Sequence, residues 1–198
     1  MVASLVAPST APLRARSTRL RWVSLPWTAT LTDGTTAVVR GAAGYDADDL
    51  AAMIGRCSPR VLHERFLVPV EHVPLPLLAD LLSTEVTFVA RDPAGRTVAL
   101  ANIAAEDPRT AEVALLVEDA CVGRGLEAAM LAHCVASAHL LGYRAVVQRA
   151  LPDTLWPLRV LGRLGQVRVG HASSGVRVAR LALTETVMTA ARGALRAA

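Results

Sequence analysis

The stretch VEDACVGRGLEAAM, Val117 to Met130, has the residue types and spacing of an anion-binding turn. A strand-like apolar run leads through Gly123-Arg124-Gly125 into a helical pattern. The start of a helix carries backbone N–H groups without intrahelical partners at the positive end of its dipole, and together these attract phosphate. Gly123 and Gly125 would let the backbone come close to an anion, and Arg124 adds a positive side chain. One residue argues the other way. Glu127 puts a carboxylate in the first turn, where a bound anion would sit, and such a carboxylate also favours the helix by itself. On spacing alone, a phosphate cradle and a plain glycine-rich turn stay equally open.

Other reactive side chains give less. Cys57, Cys121 and Cys134 lie inside apolar patterns, with no CxxC or Cys/His ligand spacing, and read as buried thiols in a reducing cytoplasm. Cys121 sits beside the turn and reads as packing. His133 and His139 fall on the long helix after the turn and read as helix-surface or satisfied histidines.

The elements that must position the turn fit in one domain, since 198 residues can bury one proper core. No run of about 18 uninterrupted apolar residues marks a membrane span, and the start is a poor signal peptide. The formal charge is +4, and Arg14, Arg16, Arg19 and Arg21 account for all of it, because residues 1–27 hold no acid. The remainder is balanced, 17 basic against 17 acidic residues. Residues 1–27 therefore read as a basic, disordered tail, and the body gives no reason to expect a nucleic-acid partner. An Arg-tail nucleic-acid binder would show steeply salt-dependent affinity lost with residues 1–27. All 21 basic residues are Arg, so no side-chain amine of the protein can be acylated.

A turn at Asp33-Gly34 precedes a strand over Thr35 to Arg40. YDADDLAAMIGRC reads as a helix with acids in its first turn. Ser58 caps a second helix with Pro59 at its first position, SPRVLHERF. LPLLADLLS is a third. Two β-rich runs around residues 93–95 form a hairpin, and Ala111 to Asp119 is a further strand. The helix from Gly125 to about Leu140 carries a buried stripe of Leu126, Met130, Cys134 and Ala138. YRAVVQRAL is a strand, PDTLWPLRVLGRLG a helix closed by Gly165, and GQVRVG with GVRVARLAL a final strand pair. Residues 185–198 read as weakly helical and outside the core. The order predicts a mixed α/β sheet flanked by helices, mostly antiparallel, with one parallel crossover after Ala111.

AEVALLVEDACVGRGLEAAMLAHCVASAHLLGY resembles the cofactor-binding segment of the GNAT superfamily, the acyl-CoA-dependent N-acyltransferases. There the pattern is Gln or Arg, two residues, Gly, one residue, then Gly or Ala. The likeness continues through PDTLWPLRVLGRLG, while DGTTAVVR and CSPRVLHERF are similar to the start of GNAT domains in bacterial protein lysine acetyltransferases. It covers roughly residues 30–183 of a domain spanning 28–184. The resemblance implies a splayed sheet with the pantetheine arm of acetyl-CoA, or another acyl-CoA, along Leu115, Leu116 and Val117. The pyrophosphate would lie on the amides of Gly123, Arg124, Gly125, Leu126, Glu127 and Ala128. Thr154 stands where the family often has Asn, and Val122 where it has Gln or Arg. Glu127 replaces the final Gly or Ala. A carboxylate about 5 Å from a phosphate costs roughly 3 kcal/mol at an effective dielectric of about 20.

Transfer of an acyl group to an amine needs a proton acceptor, a polarised carbonyl and a thiolate that can leave. Glu112 occupies the strand position where some GNAT enzymes keep their general base; a solvent-facing Glu on an alternating strand is the equal alternative. Glu106 is a weaker candidate. A backbone N–H near Leu116 would polarise the carbonyl. The Tyr that family members often supply as general acid is missing from Thr154 to Gly165. The resemblance implies an amine acceptor, a protein lysine or a small molecule; the lack of a long apolar run gives no membrane partner. Apolar composition and exposed sheet edges are compatible with a homodimer. The alternative is a degenerate GNAT domain that acts as a non-catalytic binding or protein-interaction module.

Overall fold

The computed structural model describes residues 25–70, 73–171 and 175–197. The basic segment read as disordered lies, up to residue 24, outside the described residues. Among these residues eight strands form one sheet: β1 (Trp27–Thr30), β2 (Thr36–Gly41), β3 (Val86–Arg91), β4 (Thr97–Asp107), β5 (Thr110–Val117), β6 (Ala145–Ala150), β7 (Val167–His171) and β8 (Arg177–Ala182). Their spatial order is β1-β2-β3-β4-β5-β6-β8-β7. Every neighbouring pair is antiparallel except β5 and β6, which run parallel. This is the mixed, mostly antiparallel sheet that the order of elements predicts. β1 is an addition. Its four residues carry no alternation long enough to read, and it starts at Trp27, inside the segment read as tail.

Among the described residues, six α-helices cover the two faces: α1 (Ala47–Arg56), α2 (Pro59–Phe66), α3 (Leu75–Leu82), α4 (Leu126–Leu141), α5 (Trp156–Leu164) and α6 (Glu185–Ala197). The period of two along the central strands sorts their side chains between the faces. Phe88 and Ala90 of β3, and Val113, Leu115 and Val117 of β5, join the core beneath α4, α5 and α6. Val89, Leu100 and Leu116, one residue out of step, join a second core beneath α1, α2 and α3. β3 is therefore buried nearly throughout, as a strand covered on both faces must be.

Local chemistry fixes the helix ends. The Ser58 hydroxyl accepts the Val61 N–H at 3.3 Å, and Pro59 occupies the first turn of α2. Gly125 and Gly142 bracket α4 at φ 93° and 100°, a conformation costly for residues with a Cβ. The expected stripe Leu126, Met130, Cys134 and Ala138 is buried, but so are Leu131, Ala132 and Val135. The sheet covers one side of α4 and α6 covers the other.

That packing corrects the reading of residues 185–198 as lying outside the core. Val187, Met188 and Ala191 are buried, and Val187 and Ala191 belong to the main cluster. The seam is tight at Gly165, where a Cβ would lie 2.6 Å from Val187 Cγ2 and 3.3 Å from Leu181 Cδ1. Its backbone is extended, so only space opposes a side chain there. Val187 is short and stiff at χ1. Gly165→Ala is expected to destabilise the protein by about 1–3 kcal/mol, the usual cost of overpacking. An unchanged urea midpoint would show that α6 yields without cost.

Candidate functional site

The sheet parts where its one parallel pair ends. β5 and β6 share only three rungs, Thr110, Ala111 and Glu112 against Ala145, Val146 and Val147. β5 then runs on to Val117 and β6 to Ala150 without pairing again. The β6-facing edge of β5 beyond Glu112 thus has no strand beside it. Backbone N–H and C=O groups seek partners, and an extended chain laid along this edge would supply them. The gap opens into a cleft of about 350 Å³. Leu115, Leu116 and Val117 line it from β5, Val61 and Arg65 from α2, and Thr154 from the loop entering α5.

The Gly-x-Gly turn forms one end of the cleft. Gly123 has φ 77°, and a Cβ there would meet nothing within 4 Å, so its backbone faces open space. Gly123 and Glu127 line the cleft with Val122, which is 41% exposed. The Glu127 carboxylate turns back on the turn: Oε1 accepts the Gly123 N–H at 2.7 Å. The protein's own carboxylate therefore holds an amide that a bound anion would use. Arg124 points elsewhere. Its guanidinium donates to Asp33 Oδ2, to Thr35 Oγ1 at 2.7 Å and to the Ala120 carbonyl at 3.3 Å. The Arg124 carbonyl accepts the Thr32 N–H at 2.9 Å, so the β1–β2 turn is stitched to the outside of the Gly-x-Gly turn. Hydrogen bonds from the Thr35 hydroxyl and amide, with a smaller contribution from Arg124, hold the Asp33 carboxyl below its usual range.

Glu112 sits at the vertex of the splay, on the last rung, with a quarter of its side chain exposed. Oε2 pairs with Arg149 Nη1 at 2.7 Å, and Arg149 Nη2 donates to Glu106 at 2.7 Å. The bond to Glu106 and the charge of Glu112 outweigh burial and raise the Arg149 pKa. Across the cleft, Arg65 Nη2 donates to Asn102 Oδ1 at 2.7 Å, while its buried Nε has no partner. Burial draws the Arg65 guanidinium down to about 10, against the opposing charge of Glu112. Gln148, 4% exposed on β6, also lines the cleft with its Oε1 unpartnered.

The structure thus gathers Leu115, Leu116, Val117, Gly123, Glu127 and Thr154 around one cleft with Glu112 at its vertex. Arg124, Gly125, Leu126 and Ala128 are not among the lining residues, and Leu126 is wholly in the core. The sequence reading passed over Arg65, Gln148 and Arg149. Arg65 had a signal: it follows Val61 by four residues and so falls on the apolar stripe of its helix. The thiols are inert packing. Burial pushes Cys57 and Cys134 up to about 12 and raises Cys121 as well. His133 packs against Trp27 and Phe88, with ring centroids 5.2 and 4.6 Å away. Tyr143 is buried outside the cleft, its hydroxyl on Glu85. Among the described residues no cluster could hold a metal ion, and no helix is long and apolar enough to cross a membrane.

No family model matches the sequence, and no curated protein matches it. Solved structures do. The GNAT domain of PAT from S. lividans superposes with a TM-score of 0.72 at 24% identity, over 87% of this chain and 99% of that one. YncA from Salmonella typhimurium, solved with its cofactor acetyl-CoA, gives 0.61 at 18% identity, over 75% of this chain and 95% of that one. The cAMP-binding acyltransferase from Mycobacterium smegmatis gives 0.55 at 20% identity; 93% of this chain covers 59% of that one. The mixed, mostly antiparallel sheet flanked by helices agrees with that likeness: the chain has the GNAT fold.

Proposed function

We propose that the protein is an N-acyltransferase that moves an acyl group from an acyl-CoA to an amine. The parting of β5 and β6 above three rungs carries this reading, because it leaves a free strand edge along a cleft. The β5 edge at Leu115 to Val117 fits the amide-bearing pantetheine arm. The Gly123 turn, closed by Glu127, fits a diphosphate poorly as it stands. A thioester held there supplies an activated carbonyl and a thiol leaving group of ordinary pKa, about 8.5, which needs no dedicated acid near neutrality.

The chain's own residues supply the rest. A backbone N–H near Leu116 polarises the carbonyl oxygen. Glu112, held in place by Arg149, takes the proton of the attacking amine directly or through water. Thr154 helps to close the α5 side of the cleft. The likeness to the GNAT domain of PAT favours a protein lysine as acceptor over a small-molecule amine. That preference rests on fold alone.

Calorimetric titration with acetyl-CoA, with desulfo-CoA and adenosine nucleotides as controls, tests the reading. Binding in the micromolar range is expected. No binding at millimolar acetyl-CoA would overturn the enzyme and leave a non-catalytic interaction module of GNAT fold.

A further inference from the structure

Three separate features meet at the Gly123 turn. Glu127 Oε1 accepts the Gly123 N–H at 2.7 Å, so the chain itself occupies an amide of a residue that lines the cleft. Arg124 is committed to Asp33, Thr35 and the Ala120 carbonyl on the far side of the turn. Val122 presents an exposed apolar side chain at the rim. A diphosphate entering here must break a charge-assisted hydrogen bond, approach a carboxylate and find no side-chain cation on the turn. The arm end of the cleft has none of these obstacles, since the β5 edge is free.

We propose, building on the acyl-donor reading above, that the protein recognises its donor by the pantetheine arm, and that the nucleotide diphosphate of CoA adds little to binding. Glu127 is the residue that sets this selectivity. The donor class is then any acyl-pantetheine thioester, with acyl-CoA as one member. Two lining arginines do not alter this. Arg65 is bonded to Asn102, and Arg149 is shared by Glu106 and Glu112. Arg159 on α5 and Arg60 on α2, whose pair with Glu64 is exposed, are the lining cations open to a diphosphate.

The test compares Kd for acetyl-CoA, S-acetylpantetheine and 3′,5′-ADP on the full chain. A working cradle contributes several charge-assisted hydrogen bonds and separates the two thioesters by about a hundredfold or more. Here the two are expected to bind within about tenfold of each other, with no competition from 3′,5′-ADP at millimolar concentration. Glu127→Gly should tighten acetyl-CoA at least about tenfold and leave S-acetylpantetheine unchanged; Glu127→Gln, which keeps the side-chain length without the charge, should fall between. Unchanged circular dichroism and melting would show that the variants fold. Acetyl-CoA binding over a hundredfold tighter than S-acetylpantetheine in the unaltered protein would overturn the proposal. So would an unchanged ratio in Glu127→Gly, or a large gap that Arg159→Ala or Arg60→Ala erases. If neither thioester binds, the acyl-donor reading itself fails and takes the proposal with it.

Discussion

Replacing Asp46 by Ala is expected to destabilise the protein by about 3–5 kcal/mol, the range for removing one partner of a buried ionic cluster. Asp46 is fully buried and accepts four hydrogen bonds: Arg40 Nη2 at 2.6 Å, Arg40 Nη1 at 2.8 Å, the Ala43 N–H at 2.8 Å and Arg91 Nη2 at 3.0 Å. Its removal strands two guanidinium groups that are only 19% and 27% exposed. Asp49 still holds Arg91, so the lower end of the range is expected. A urea midpoint at neutral pH measures it, and a loss below about 1 kcal/mol would mean that water replaces the carboxylate at little cost.

The same carboxyl gives a pH signature. Burial alone would raise its pKa, but the hydrogen bonds from Arg40, Ala43 and Arg91 outweigh burial and hold it at about 2, against 3.8 for an ordinary Asp. The unfolded chain therefore binds this proton first as pH falls. Stability from Asp46 is complete above about pH 4 and is lost as pH drops toward 2, roughly 2 kcal/mol in all. Asp46→Asn should flatten that limb of the stability curve.

Glu112→Gln is expected to lower kcat by about a hundredfold or more, the usual worth of a positioned general base. The donor KM should stay nearly unchanged, because Glu112 sits at the vertex and is not itself among the residues lining the arm end of the cleft. Gln keeps an oxygen for Arg149 and should preserve the fold, while Glu112→Asp should recover part of the rate. A kcat within about threefold would remove Glu112 from proton transfer. Glu106, exposed and shared on Arg149, would be tested next.

Local chemistry was legible in the sequence wherever it acts over a few residues. The turn before α4, the glycines on either side of it, the Ser58 cap and the hairpin near Gly95 (φ 80°) all follow from nearby residue types. What escaped depends on distant partners. Arg124 reads as a phosphate ligand until Asp33, 91 residues away, takes its guanidinium. Glu127 could have faced water; its choice of the Gly123 amide is a matter of rotamer, which no spacing encodes. α6 looked peripheral because most of its apolar residues are alanines, yet Val187 and Ala191 enter the main core and Ala190, Ala194 and Leu195 pack against it. Nor does sequence order show that β8 slips between β6 and β7 and leaves the short β7 at the edge.

The three rungs between β5 and β6 make the sheet two sheets on one hinge line. The antiparallel run β3–β4–β5 and the hairpin β7–β8 are each closed by short connections and can form locally, whereas the β5–β6 joint must wait for the whole of α4 to cross over. Contacts that close long loops form late and carry most of the entropic cost. The hinge line that opens the cleft is thus also a long-range seam, which neighbouring residues cannot sew without α4 crossing over the sheet.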